Sequence, residues 1–274
     1  MESTVEAKLK FIVPQDTKPY FESSALTGHL PKIHFKTEYK TVVVKDIRKN
    51  LNKNSYILDE NGFEFHNFKS QVRNFYDHNE VIEVYENELK DFLTKRFLAK
   101  EVFVFDYTRR SDNENGANNP DGLRKPADRV HADYTEKSGP QRAKDVMGVE
   151  KFNNLKSNGK RIIQLNVWKP INGPVKRSPI AFADASSILR SDLVATDQLF
   201  PDRTGEIYHI AHSDKQNWCW LSNMTDDEIL LLKGWDSLDD GRAKYTPHGA
   251  FDLPYQKESD PARESIEARV FLVL

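Results

Sequence analysis

Two short stretches of this chain carry its most informative residues: Val-His-Ala-Asp-Tyr at residues 130–134 and Thr-Pro-His-Gly-Ala-Phe at residues 246–251. Residues i and i+2 of a β-strand point to the same side, so His131 and Asp133 can coordinate one metal ion together. Two histidines and one carboxylate are the ligand set that holds non-haem Fe(II) on one face and leaves the remaining positions open. The pattern therefore predicts an iron site made of His131, Asp133 and His248.

Composition limits the classes of partner. The 274 residues include 40 Lys plus Arg and 42 Asp plus Glu, which gives a net charge of −2, and 38% of the residues are hydrophobic. A chain of this kind can bury a sizeable core. Nucleic-acid binding favours a basic surface, so no nucleic-acid partner is expected, and the expected partner is a small-molecule substrate.

Cysteine and hydropathy patterns bear on the compartment. Cys219 is the only cysteine, which excludes an intramolecular disulfide and a cysteine-based zinc site. No run approaches the roughly 20 apolar residues that cross a bilayer, and residues 1–8 lack the apolar core of a signal peptide. We expect a cytoplasmic protein with no membrane association.

Short runs of β-branched and aromatic residues dominate the chain and predict many strands. The predicted strands are residues 8–13, 32–45, 63–68, 101–107, 161–168, 180–183, 206–212, 218–221, 229–234 and 264–274, with a hairpin turn at residues 59–62. Many strands with few helices indicate a single barrel or sandwich that carries helical additions.

Two helices and one long loop complete this prediction. Residues 79–98 place their apolar side chains on one helical face, with Asp77 or Asn79 as the N-cap, and residues 141–155 form the second helix. Residues 112–128 are rich in Asn, Gly, Pro and charge. Long loops are often functional, so this segment is expected to form a flexible lip beside His131.

The other histidines compete with His248 for the third ligand position. His209 and His212 lie on one predicted strand and three residues apart, so at most one of them can face the metal. His29, His34, His66 and His78 precede the His-x-Asp pair without a partnering carboxylate pattern. His248 is preferred because Gly249 permits close approach, with His212 and His209 as the alternatives.

An Arg-x-Ser pair follows His248 at the start of the last predicted strand. A planar guanidinium binds a carboxylate through two points, so Arg263 and Ser265 suit the distal carboxylate of a 2-oxo dicarboxylate such as 2-oxoglutarate. Arg269 shares their face and is the second candidate. For an isolated arginine, a surface ion pair, here of Arg263 with Glu264 or Glu267, is the preferred explanation.

With these residues assembled, the chain resembles the non-haem iron, 2-oxoglutarate-dependent hydroxylase/desaturase-like proteins of microbial secondary metabolism. The matching blocks are residues 130–135, 166–175, 179–181, 230–237, 246–251 and 263–269. They span about residues 103–274, whereas the first hundred residues match only in general character. One departure is the stretch Asp-Lys-Gln-Asn-Trp at residues 214–218, where relatives usually carry a histidine before the Arg/Asn-Trp pair.

The resemblance implies a mainly β fold with added helices around a double-stranded β-helix (jelly-roll, cupin-like) core, with iron between its sheets. We expect one domain over residues 1–274, in which residues 1–100 flank a catalytic core at residues 101–274. Relatives of this kind often pair, so a homodimer is possible. The alternating Gln164, Asn166 and Trp168 would line the cleft as substrate-binding residues, although core packing explains them equally well.

The resulting hypothesis is an Fe(II)/2-oxoglutarate-dependent dioxygenase that uses O2 to hydroxylate, desaturate or otherwise oxidise a small, largely apolar secondary metabolite. His131, Asp133 and His248 would bind iron, and Arg263, Ser265 or Arg269 would bind the co-substrate. Two alternatives stay open. One is a non-catalytic or partner-subunit binding module on the same fold, and the other is a zinc hydrolase on a similar barrel.

Overall fold

A ten-stranded and a five-stranded β-sheet form the body of the protein. The computed structural model describes residues 3–51, 56–120 and 122–274. The strands are β1 Ser3–Ile12, β2 Tyr20–Glu22, β3 Lys32–Ile33, β4 Thr37–Asp46, β5 Phe63–Asn67, β6 Glu101–Ser111, β7 Ala117–Asn119, β8 Gly122–Arg124, β9 His131–Ala132, β10 Ile162–Pro170, β11 Ile180–Ala183, β12 Leu193–Leu199, β13 Thr204–Ile210, β14 Trp218–Trp220, β15 Glu228–Asp236, β16 His248–Ala250 and β17 Glu264–Val273.

The helices are few and short. They are α1 Ser24–Thr27, α2 His78–Glu80, α3 Glu86–Phe97, α4 Ser138–Met147 and α5 Val149–Ser157, with 3-10 turns at Arg48–Asn50, Ala185–Ser187 and Arg190–Asp192. A π-helical turn, Val81–Tyr85, joins α2 to α3, so residues 78–97 are helical throughout. The Asp77 side chain accepts hydrogen bonds from the amides of Asn79 and Glu80 and is the N-cap.

Strand order explains why the two sheets enclose a site. The five-stranded sheet runs β5-β15-β10-β17-β6, and the ten-stranded sheet runs β1-β4-β14-β11-β16-β9-β13-β12-β2-β3. Trp168 of β10 and Phe182 of β11 share one apolar cluster, which places the inner faces of the two sheets against each other. The strands β9 and β16 that carry the predicted metal ligands are neighbours in the middle of the larger sheet.

The outer face of the five-stranded sheet packs against the helix. Leu165 and Val167 of β10 and Ile266 of β17 lie in one buried cluster with Leu89 and Leu93 of α3. Since strand side chains alternate, Gln164, Asn166 and Trp168 of β10 point to the inner face. The amphipathic helix thus fixes which side chains of β10 and β17 face the site.

The secondary-structure predictions hold for most strands and for the residue 78–97 helix. The predicted helix over residues 141–155 is two helices, because Gly148 lies at a φ of 88° between α4 and α5. Residues 112–128 were expected to be one loop but contain the β7–β8 hairpin. The turn at residues 59–62 is present, yet the described residues before it are not strand, so it is not a hairpin turn.

Short strands escaped the sequence analysis. The two- to three-residue β2, β9 and β16 were not predicted, because runs this short carry almost no periodicity. The seven-residue β12 was also not predicted. Across residues 3–51, 56–120 and 122–274, no helix combines the length and the apolar character needed to cross a bilayer.

Leu89 tests the role of the α3 layer. Its side chain is fully buried against the five-stranded sheet, so Leu89→Ala should lower the free energy of unfolding by about 2–5 kcal/mol. Asp91→Ala, on the exposed side of the same helix, should change it by less than about 0.5 kcal/mol. Urea denaturation of both variants gives the two values, and equal losses would contradict the packing described here.

Candidate metal centre

Three predicted ligands meet on the inner face of the ten-stranded sheet. His131 of β9 is the direct strand partner of His248 of β16, and their ring centroids lie 4.6 Å apart. Asp133 follows β9, with its Oδ1 atom 3.3 Å from Nε2 of His131. One ligand atom from each of the three residues lies within 4.8 Å of the other two, which is close enough for all three to bind one ion.

Backbone carbonyl groups set the orientation of both imidazole rings. Nδ1 of His131 lies 2.8 Å from the carbonyl oxygen of Arg129, and Nδ1 of His248 lies 2.9 Å from that of Thr246. A carbonyl can only accept, so each Nδ1 carries the proton and each Nε2 keeps its lone pair. Metal-bound histidines are held in this way in proteins, and both Nε2 atoms are therefore ready to act as ligands.

Asp133 is held as a carboxylate by side chains of the opposite sheet. Its Oδ2 atom accepts hydrogen bonds from Nδ2 of Asn166 at 2.7 Å and from Nε of Arg269 at 2.8 Å. Burial alone would raise the pKa of Asp133, but the charge of Arg269 and the contact with His131 hold that pKa well below its usual range. Oδ1 remains directed towards the histidines as the third ligand atom.

Burial has the opposite effect on His248. Burial, and then the proximity of His131, lower the pKa of His248 to about 4. A histidine binds a metal only in its neutral form. His248 therefore needs no deprotonation before it acts as a ligand at neutral pH.

A row of amides supports Asp133 from β10. Nε2 of Gln164 donates to Oδ1 of Asn166 at 2.8 Å, and this bond orients the amide that holds Asp133. Gly234 of β15 makes room for Gln164, because a Cβ atom there would collide with its amide. Gln164, Asn166 and Trp168 were expected to touch substrate. They do not line the cavity beside the metal ligands, and direct contact with substrate stays a prediction.

Arg269 lies in β17 and Arg263 directly precedes it, and the two side chains have different surroundings. Arg269 is fully engaged: besides Asp133 it contacts the carboxylates of Asp106 and Glu267 and the hydroxyl of Thr108. Its guanidinium orients a metal ligand, which leaves it poorly placed to bind a co-substrate. The acidic partner Asp106 was missed, because only strand register brings β6 beside β17, and Glu267 was considered only as a partner of Arg263.

Arg263 is buried, with 3% of its surface exposed. Its Nη1 donates to the carbonyl of Ser178 at 2.9 Å, its guanidinium lies 5.6 Å from the Trp168 ring, and its Nε has no hydrogen-bond partner in the described part of the chain. The guanidinium is not in a surface ion pair with Glu264 or Glu267. Ser265 is also buried and pairs with Arg110 of β6.

The alternative histidine ligands lie outside the cluster. His209 is the strand partner of His131 and is 2% exposed, yet it is not one of the three clustered residues. His212 follows the end of β13, where its ring packs on Phe11 at 5.1 Å and Nε2 lies 3.8 Å from Asp214. The geometry thus favours His248 as the distal ligand.

A cavity of about 1610 Å³ opens beside the metal ligands. His131, Asp133 and Arg269 form part of its wall. Residues 106–110, 112, 120 and 123–129 border it, so part of the predicted lip lies beside the site. Aromatic and apolar side chains alternate with charged ones in the lining, which gives room for an organic molecule next to the three ligands.

Known proteins with similar sequences include oxidoreductases. A family model described as "Oxidoreductase/YMDC permease-like domain" matches residues 9–273. The hydroxylase/desaturase efuI of Hormonema carpetanum is 31% identical over 264 residues, which cover 88% of this chain and 86% of efuI. The alpha-ketoglutarate-dependent dioxygenase phiK of a fungal species is 28% identical over 99% of this chain and 97% of its own.

A solved structure supports the fold. The iron and alpha-ketoglutarate-dependent endoperoxidase NvfI superposes with a TM-score of 0.85 at 23% identity, with 98% of each chain covered. The jelly-roll fold and its histidine–carboxylate cluster define an oxygenase-type metalloprotein. More specifically, the chain belongs to the hydroxylase/desaturase family of oxidoreductases. The predicted fold class and the predicted family are confirmed.

Asn166 tests the support of Asp133. Asn166→Ala removes the amide that holds Oδ2, and loss of such an outer partner lowers metal affinity about 10- to 100-fold. Asn87→Ala, an exposed amide on α3, serves as the control and should leave the affinity unchanged. Anaerobic Fe(II) titration measures both, and an unchanged affinity in Asn166→Ala would contradict the role given to this amide.

Proposed function

We propose that the protein is an Fe(II)- and 2-oxoglutarate-dependent oxygenase that oxidises a small, largely apolar secondary metabolite. The observation that carries the proposal is the cluster of two Nε2 atoms and one carboxylate oxygen within 4.8 Å, with both Nδ1 atoms turned to backbone carbonyls. The relatives named as hydroxylase/desaturase and as alpha-ketoglutarate-dependent dioxygenase agree with it.

The donor set fits Fe(II). Two neutral imidazoles and one carboxylate on one side of an ion leave the other positions open, which is the arrangement that non-haem Fe(II) oxygenases use. When bound, iron and 2-oxoglutarate supply the oxidation of a C–H bond by O2, with succinate and CO2 as co-products. The protein itself orients the reactants and excludes water.

Arg263 is the proposed anchor of the 2-oxoglutarate distal carboxylate, with Ser265 beside it. Burial and the nearby charge of Arg110 lower the pKa of Arg263 to about 9, so an added anion would stabilise the guanidinium. Its unpartnered Nε offers a buried donor, and a guanidinium is suited to two-point carboxylate binding. Arg269, already bound to three carboxylates, is assigned to the metal ligand Asp133 instead.

The organisation of the chain and its location are part of the proposal. Strands that precede residue 101 belong to both sheets, with β1 and β4 in the larger one and β5 in the smaller, which supports one domain over residues 1–274. A homodimer through the N-terminal strands has support from Tyr39 and Val43 of β4, which are 57% and 58% exposed. The buried, single Cys219 suits the cytoplasm.

The metal and co-substrate are tested together by anaerobic titration. Metal-free protein that receives Fe(II) and then 2-oxoglutarate should develop the visible charge-transfer band of a chelated 2-oxo acid. His248→Ala should abolish the band, because one of the three ligands is lost. His212→Ala is the matched control and should keep it, since this ring lies outside the cluster.

Other outcomes separate the alternatives. Iron binding without the band would mean that 2-oxoglutarate is the wrong co-substrate. Absence of iron binding would favour the non-catalytic binding module, and oxygen-independent turnover with zinc would favour a hydrolase.

Substitution of Arg263 and substitution of Arg269 should weaken the binding of different ligands. Arg263→Gln should weaken 2-oxoglutarate binding about 10- to 100-fold, the size of a lost charge-assisted hydrogen bond, with Fe(II) affinity retained. Arg269→Gln should weaken Fe(II) binding itself, because Asp133 loses a partner. Arg73→Gln, an exposed arginine, is the control. A normal 2-oxoglutarate affinity in Arg263→Gln, measured by titration of the band, would overturn this assignment.

A further inference from the structure

Arg129 is a cation in the cavity wall without an ion-pair partner in the described part of the chain. Arg129 lies two residues before His131 and lines the cavity beside the metal ligands. Among the described residues, no carboxylate lies within ion-pair distance of its guanidinium, which instead sits 5.7 Å from the centroid of the Phe21 ring. The adjacent acid, Asp128, is paired with Lys10 at 2.8 Å.

The surroundings of Arg129 are those of a binding site. Its backbone carbonyl orients His131, so its position relative to the metal ligands is fixed by a hydrogen bond. His209 lies beside Phe21: the two ring centroids are 5.7 Å apart, His209 is 2% exposed, and its Nδ1 has no hydrogen-bond partner within the described ranges. Both His209 and Phe21 line the same cavity.

A half-buried guanidinium without an ion-pair partner can bind an anion through its N–H donors. In our assignment this anion is not the co-substrate, because the distal carboxylate of 2-oxoglutarate is assigned to Arg263, which lies over Trp168. An anion bound at Arg129 would therefore belong to the substrate.

We propose that Arg129 recognises a carboxylate on the organic substrate, with His209 as a second hydrogen-bonding group and the Phe21 ring as the adjoining apolar wall. This inference rests on the proposed function and narrows its substrate class to an acid with an apolar or aromatic skeleton. A guanidinium binds a carboxylate through two parallel hydrogen bonds, so Arg129 also fixes the orientation of that skeleton towards the metal.

The test compares acids with their uncharged amides. Protein loaded anaerobically with Fe(II) and saturating 2-oxoglutarate, so that the metal and Arg263 are occupied, is titrated by calorimetry with 2-naphthoate, benzoate, 2-naphthamide and benzamide. Wild type should bind each acid at least tenfold more tightly than its amide. Arg129→Gln should remove that preference, and Arg129→Lys should retain part of it because the charge remains without the two-point geometry.

Arg203→Gln is the matched control. This arginine also lies over an aromatic ring of the same cavity, 3.9 Å from the Phe200 centroid, but it is exposed. The control should keep the acid preference of wild type within about twofold. Equal losses in Arg129→Gln and Arg203→Gln would mean a general charge effect and would overturn the assignment, as would wild type that binds acid and amide alike.

The charge-transfer band of the same samples distinguishes failure of the proposed function from failure of the role proposed for Arg129. A normal band in wild type and in Arg129→Gln shows that the variant is folded and that the proposed function stands. In that case, loss of the acid preference supports the role of Arg129, and an unchanged preference overturns that role alone. Absence of the band in wild type overturns the proposed function and this inference with it.

Discussion

The site depends on the hydrogen bonds that cross from one sheet to the other at Asp133. This carboxylate follows β9 of the ten-stranded sheet, and its Oδ2 atom is held by Asn166 of β10 and Arg269 of β17 in the five-stranded sheet. An ionised carboxylate between two sheets is costly unless it is fully bonded. The two sheets therefore pack so that Asn166 and Arg269 reach Asp133. This packing positions Asp133 beside the two histidines.

The rest of the architecture serves this contact. The α3 helix covers the outer face of β10 and β17, so Asn166 and Arg269 are forced to the inner face. Backbone pairing of β9 with β16 then sets the distance between His131 and His248. Side chains then remain to define where a co-substrate and a substrate would bind, and the groups proposed here are Arg263 for the first and Arg129 for the second.

The sequence predicted the ligands because their chemistry is rare in combination: a His-x-Asp pair and a downstream histidine beside a glycine. It also predicted long strands and the main helix, whose periodicity is strong. It did not predict β9 or β16, whose two and three residues form strands only because neighbours supply hydrogen bonds. The sequence favoured Arg263 over Arg269 for the co-substrate but left Arg269 as a second candidate, since only the register of β6 against β17 shows that Asp106 neutralises Arg269.

The central claim is that Fe(II) is bound by His131, Asp133 and His248. X-ray absorption at the iron edge, recorded on anaerobic Fe(II)-loaded protein, reports the number of imidazole rings on the metal directly. The account predicts two imidazoles in wild type and one in either His131→Ala or His248→Ala, to the extent that each variant keeps iron. A wild-type spectrum with fewer than two imidazoles, or one that neither substitution changes, would contradict it.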